Sequence, residues 1–155
     1  MTEQLAQSWP LPSNPRPIVI VGTGGIVKDA HLPAYRKAGF QVTGIYDPDQ
    51  DRARSVAQDW NIPAVFSTLE EAAAADAVFD VAAPPTAHQD ILTALPRGAS
   101  VLLQKPMGLD LAAATAIRAA VRSREMTAAV NFQLRYSPMM LALAGVVWSL
   151  RRFVW

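Results

Sequence analysis

The sequence predicts a doubly wound parallel α/β sheet. Three observations carry that expectation: short apolar runs recur along the chain, helix-forming segments separate them, and a glycine-rich turn directly follows the first run. Runs that are apolar on nearly every residue suit strands buried on both faces. Connections of helical length require neighbouring strands to be parallel.

The segment before Ile18 contains Pro10, Pro12, Pro15 and Pro17 but neither a basic start nor an apolar stretch of signal-peptide length, so residues 1–17 read as an extended leader. Residues 18–21 are a β-branched run, and a helix is expected from about Lys28 to Ala38, closed by Gly39. A second run at 42–46 is broken by Asp47-Pro48, and a polar helix follows to Trp60. Residues 64–66 form a third run. Ser67 and Glu70 then have the spacing of a capping box, in which a hydroxyl and a carboxylate exchange hydrogen bonds with the helix start. The fourth run, 78–83, ends at Pro84-Pro85, and Thr86 with Gln89 repeats the capping spacing before a helix reaching Leu95. After Gly98 come a fifth run at 101–103, a helix at 111–124 and a sixth run at 127–130.

At 155 residues and 51% hydrophobic content, the chain can bury one ordinary core. Fourteen basic against thirteen acidic residues leave a net charge of +1, which gives no reason to expect a nucleic-acid or anionic-membrane partner. Cysteine is absent, so disulfides, thiolate metal ligands and a thiol nucleophile are excluded. The longest uncharged apolar segment, 139–150, is too short for a bilayer span, and the reading is a cytoplasmic protein.

Chemistry is expected where strands end. Gly22, Thr23, Gly24, Gly25 and Ile26 form the turn between the first run and its helix, where glycines permit close backbone approach to a pyrophosphate. Val27 occupies the third glycine position of that pattern, which predicts looser packing of helix on strand. Without further signals, an ordinary glycine turn explains the segment equally well. Asp47 ends the second run roughly 25 residues beyond Gly22, where an acidic side chain accepts from an adenosine ribose and repels a 2′-phosphate; an Asp-Pro turn is the simpler alternative. Pro85, Thr86 and His88 leave the fourth run on the ligand-binding side. His88 reads equally as a first-turn helix residue and His31 as a surface histidine, and no metal is expected. Finally, Gln104-Lys105-Pro106-Met107-Gly108 places one amine at the mouth of the sheet, able to donate to a substrate hydroxyl or assist proton loss.

In order and spacing, GTGGI, HLPAY, the strand-end Asp47, APPTAH, QKPMG and NFQLRYSP resemble the glucose-fructose oxidoreductase, inositol dehydrogenase and MocA (Gfo/Idh/MocA) family, from about Ile18 to Leu143. The resemblance implies a Rossmann domain that binds NAD(P), and places Gly22, Gly24, Gly25, Asp47, Pro85 and His88 in the cofactor crevice. It sets Lys105, from the family's Glu-Lys-Pro motif, beside the nicotinamide and substrate as the catalytic candidate. Gln104 replaces the usual glutamate, removing a negative neighbour of that lysine. Arg135 and Tyr136 become candidates near a domain junction. Family members continue into an antiparallel α+β domain that completes the substrate site, and this sequence contains nothing comparable.

The expectation is therefore a leader at 1–17, an NAD(P)-binding domain at 18–131, and at 132–155 the start of a junction with an atypical apolar tail. A frameshift or early stop accounts for that tail, as does an authentic helix packed on the domain. The expected function is the dinucleotide-binding part of an oxidoreductase of sugar- or polyol-like hydroxyls, truncated and inactive by itself. NAD is favoured over NADP, and bare apolar faces favour self-association. Two other classes compete: a non-catalytic dinucleotide-binding or sensing module working with a partner chain, and a methyl-donor-dependent transferase, against which the Lys105-Pro106 segment argues.

Overall fold

The computed structural model describes residues 11–140 and 143, without the side chains of 135 and 136. The expectations for the first part of the leader, for the tail after Ala144 and for the Arg135 and Tyr136 side chains lie outside the described residues.

The strands are β1 (Ile18–Val21), β2 (Val42–Tyr46), β3 (Ala64–Val65), β4 (Val78–Val81), β5 (Ser100–Gln104) and β6 (Thr127–Asn131). They form one sheet in the order β3-β2-β1-β4-β5-β6, every adjacent pair parallel. The order reverses between β1 and β4, the crevice where open α/β sheets bind ligands.

Alternation along β1 explains the two-sided burial. Val19 and Val21 join a core with Phe79, Val81, Leu92, Leu95, Val101, Leu103 and Ile117, whereas Ile18 and Ile20 pack with Val27, Leu32, Ile45 and Val56. Successive strand side chains point to opposite faces, so one strand serves both cores. Val27, at the third glycine position, is fully buried in the second core, and a wide π-type turn over Val27–His31 leads into α1 (Leu32–Ala38).

The other helices are α2 (Gln50–Trp60), α3 (Leu69–Ala73), α4 (His88–Ala94) and α5 (Leu111–Ser123). Asp49 caps α2 and Asp110 caps α5, each carboxylate accepting a first-turn N–H. Both expected capping boxes need correction. Before α3 the cap is Thr68, whose hydroxyl accepts from the Glu71 N–H while the Glu71 carboxylate accepts from the Ser67 N–H, one residue beyond the expected pair. Before α4 there is no side-chain cap, because Pro85–Ala87 form a 3₁₀ turn and Ala87 donates to the Pro84 carbonyl. Proline at the start of that turn supplies the geometry that a hydroxyl would otherwise provide.

Residues Asn14–Asn131 form a compact unit. Among the described residues outside that unit, Gln133–Tyr136 form a short 3₁₀ turn. Among the described residues, no helix is long and apolar enough to cross a membrane.

Candidate functional site

Parallel strands bring their C-terminal ends to one edge, and there a cleft of about 720 Å³ opens. Its floor is the β1 turn. Gly22 has φ +100, and a Cβ on it would lie 2.8 Å from the Ala82 carbonyl oxygen at the end of β4, so glycine is required by both backbone and space. Gly24 differs, because a Cβ there meets nothing within 4 Å. The N–H groups of Gly24, Gly25 and Ile26 open the helical turn and have no acceptor among the described residues, whereas Val27 donates to the Gly24 carbonyl. An unsatisfied first turn with the positive end of a helix behind it is suited to an anion.

Thr23 is fully buried, and its N–H and hydroxyl both donate to Asp47 Oδ2, at 2.7 and 2.8 Å. Asp47 Oδ1 accepts from the Asp49 N–H at 2.8 Å and from Arg52 at 2.7 Å. A carboxylate offers about four lone-pair positions, so Asp47 is saturated by its own chain. Arg52 is the exposed donor of the set, its side chain 47% accessible against 4% for Asp47. Burial alone would raise the Asp47 pKa, but the hydrogen bonds from Asp49, Thr23 and Arg52 outweigh it and hold it below the usual value. Arg52 also donates to Thr23 Oγ1 and pairs with Asp49. Two carboxylates thus face one guanidinium at this rim.

Gly22, Thr23, Gly24, Ile26 and Asp47 line the cleft, while Gly25, Pro85, His88 and Lys105 are not among its lining residues. Pro84 and Ala87 line it where Pro85 and His88 were expected. His88 is fully buried, with Nε2 3.1 Å from the Ala83 carbonyl and Nδ1 3.3 Å from the Met107 carbonyl. It bridges two loops beside the cleft, and a neutral ring donates to one of them. Lys105 is exposed after β5, joined to Pro106 by a cis peptide bond.

His31 is not a surface residue: it is 7% exposed, with Nδ1 2.7 Å from Asp80 Oδ2. Asp80 lies inside β4, opposite Ile20 of β1, and also accepts from the Tyr35 hydroxyl. Burial, then the charge of Asp80 and the hydrogen bond to it, pushes the Tyr35 pKa well above its ordinary value. A carboxylate inside an otherwise apolar run was the available signal, since buried polar groups are the informative ones. Tyr46, Leu69, Ile91 and Gln104 also line the cleft. The apolar ones carry no local signal, because only the fold brings them together.

Residues 16–132 match the oxidoreductase family GFO_IDH_MocA, described as an NAD-binding Rossmann fold. YceM of Salmonella typhimurium, named as an oxidoreductase, is 32% identical over 79% of this chain and 40% of its own. Inositol 2-dehydrogenase of Corynebacterium glutamicum is 35% identical over 59% of this chain and 28% of its own. Among solved structures, a 3-ketoreductase from Actinomadura kijaniata, in complex with TDP-benzene and NADP, superposes with a TM-score of 0.71 at 24% identity, covering 86% of this chain and 42% of that one. The chain spans about 40% of the length of the curated relatives it matches first.

Proposed function

The chain belongs to the Gfo/Idh/MocA oxidoreductase family, and on that premise we propose that residues 18–131 bind NAD in the cleft at the β1–β4 crevice, as the cofactor-holding part of a dehydrogenase of sugar- or polyol-like hydroxyls. The observation that carries the reading is the set of three unsatisfied N–H groups at Gly24, Gly25 and Ile26, beside open space at Gly24. Relatives named for inositol and glucose 6-phosphate dehydrogenation support the substrate class.

The residues fit such a cofactor. The N–H groups of the first helical turn would receive the pyrophosphate, and Leu69, Ala83, Ala87 and Ile91 offer apolar surface to a planar base. The bound nicotinamide supplies the hydride acceptor or donor. At the rim, two carboxylates against one guanidinium disfavour an added 2′-phosphate, which supports NAD over NADP. Asp47 would accept from a ribose hydroxyl after Arg52 swings out. Gly22 would shape the turn, and Thr23 would hold it against Asp47. Pro85 and His88 would act through the shape of the β4 exit, not by contact. Lys105, as the neutral amine, would accept the hydroxyl proton as the hydride leaves the carbon, and as the ammonium would return it to the oxygen in the reverse direction.

The test is a fluorescence titration of the 155-residue protein with NADH, beside Gly24→Val. Micromolar-range binding lost in the variant, with unchanged circular dichroism, is expected, because a Cβ at Gly24 meets no protein atom within 4 Å and the side chain extends into cofactor space. Equal affinity of the two proteins would refute the site.

A further inference from the structure

A continuous hydrogen-bonded chain runs through the buried side of the sheet to the segment that follows β5. Tyr35 donates to Asp80 Oδ2 at 2.8 Å, His31 Nδ1 lies 2.7 Å from the same oxygen, His31 Nε2 lies 3.0 Å from Gln104 Nε2, and Gln104 Oε1 accepts from the Lys105 N–H at 2.9 Å. Asp80 is 1% exposed, and His31 and Gln104 are each 7% exposed. Asp80 Oδ1 has no partner among the described residues, a cost that an apolar residue in β4 would avoid.

The polarity of this chain follows from its last member. A backbone N–H can only donate, so the Gln104 amide must turn its oxygen to Lys105 and its NH₂ to His31. His31 Nε2 must then accept, which leaves the ring proton on Nδ1, pointing at Asp80. In this arrangement each contact of the chain pairs a donor with an acceptor.

We propose that His31 is a positioning residue for the cleft: oriented by Asp80 and Tyr35, its ring fixes the Gln104 amide, which in turn holds the main chain of Lys105 beside the cofactor site. The inference rests on the cofactor reading above only in its last step. It explains how glutamine serves at position 104. A carboxylate there has acceptors alone, and would satisfy both neighbours only by placing a second proton on the ring or by turning the ring proton away from Asp80. Gln104 and an Nδ1-protonated His31 are matched partners. Because Gln104 also lines the cleft, a displaced amide would change the surface the cofactor meets.

Long-range ¹H–¹⁵N spectra of the 155-residue protein at neutral pH read the ring directly. The expected result is a protonated Nδ1 and an unprotonated Nε2 on His31. In Gln104→Glu, Nε2 should become protonated and the Lys105 amide signal should shift. Asp80→Asn keeps an acceptor for the ring and should retain the wild-type ring pattern and NADH affinity. Asp80→Ala should lose the pattern, shift the Lys105 amide and weaken NADH binding about tenfold, the low end of what loss of an outer hydrogen-bond partner costs at metal sites. A wild-type ring protonated on Nε2, or a Lys105 amide indifferent to both Gln104→Glu and Asp80→Ala, would overturn the proposal. If the wild type fails to bind NADH, the cofactor reading falls, while the ring and amide signals still decide the relay.

Discussion

At the scale of single residues, Asp47 shows how a sequence position and a chemical role separate. The sequence marks it as an acidic strand end, but only the folded chain shows its two oxygens taken up by Thr23, Asp49 and Arg52. Arg52 is consequently the residue on which cofactor choice should turn. It is the one guanidinium among the described residues lining the cleft. Replacing Arg52 with Gln frees an acceptor on Asp47 and removes the positive charge nearest a 2′-phosphate. The ratio of NAD(H) to NADP(H) affinity should rise about fivefold, equivalent to about 1 kcal/mol for a half-exposed pair. Parallel titrations with the two cofactors check this, and an unchanged ratio would mean that Arg52 is indifferent to the ribose. Asp47 also makes a pH prediction. Its folded-state pKa is lowered, so its contribution to stability is complete at neutral pH, begins to fade near the ordinary carboxylate value of about 3.9, and is lost as pH falls through the lower folded value. Urea unfolding at stepped pH should show this acid loss in the wild type and a shallower one in Asp47→Asn. Parallel slopes would contradict it.

Among whole elements, strands and long helices were legible because two periodicities alternate with glycine and proline between them. What failed was local. Ser67 and Thr86 have the right chemistry and spacing for caps, yet the hydroxyl that caps α3 belongs to Thr68, and α4 follows the Pro85–Ala87 turn with no side-chain cap. Neighbouring hydroxyls compete for the same N–H groups, and the backbone angle at the helix entrance decides between them. Thr68→Ala should therefore cost about 1 kcal/mol in chemical denaturation, and Ser67→Ala clearly less, since Ser67 contributes its backbone N–H. Equal losses would return the cap to Ser67. The Asp80 and His31 pairing was hidden for a different reason. The two residues lie 49 positions apart, on β4 and on the turn before α1, and only the β1–β4 crossover brings them together.

For the molecule as a whole, the alternation of strand and helix was enough to predict a doubly wound parallel sheet and the strand ends where a ligand site should lie, while the order β3-β2-β1-β4-β5-β6 emerges only in the fold. The sequence could not show which side chains that edge exposes. His88 follows β4 and Lys105 follows β5, yet one is fully buried and the other exposed. The central claim is that the cleft at the C-terminal ends of the strands holds the dinucleotide. The most direct test is an NMR titration of the 155-residue protein with NADH, following backbone amides at both ends of the sheet. The account predicts large shifts at Gly24, Gly25, Ile26, Arg52 and Ala83, and none at Asp76, Gly98 and Ala99, which border a separate hollow at the opposite end. Shifts centred on that opposite end, or none at the glycine turn at saturating NADH, would contradict it.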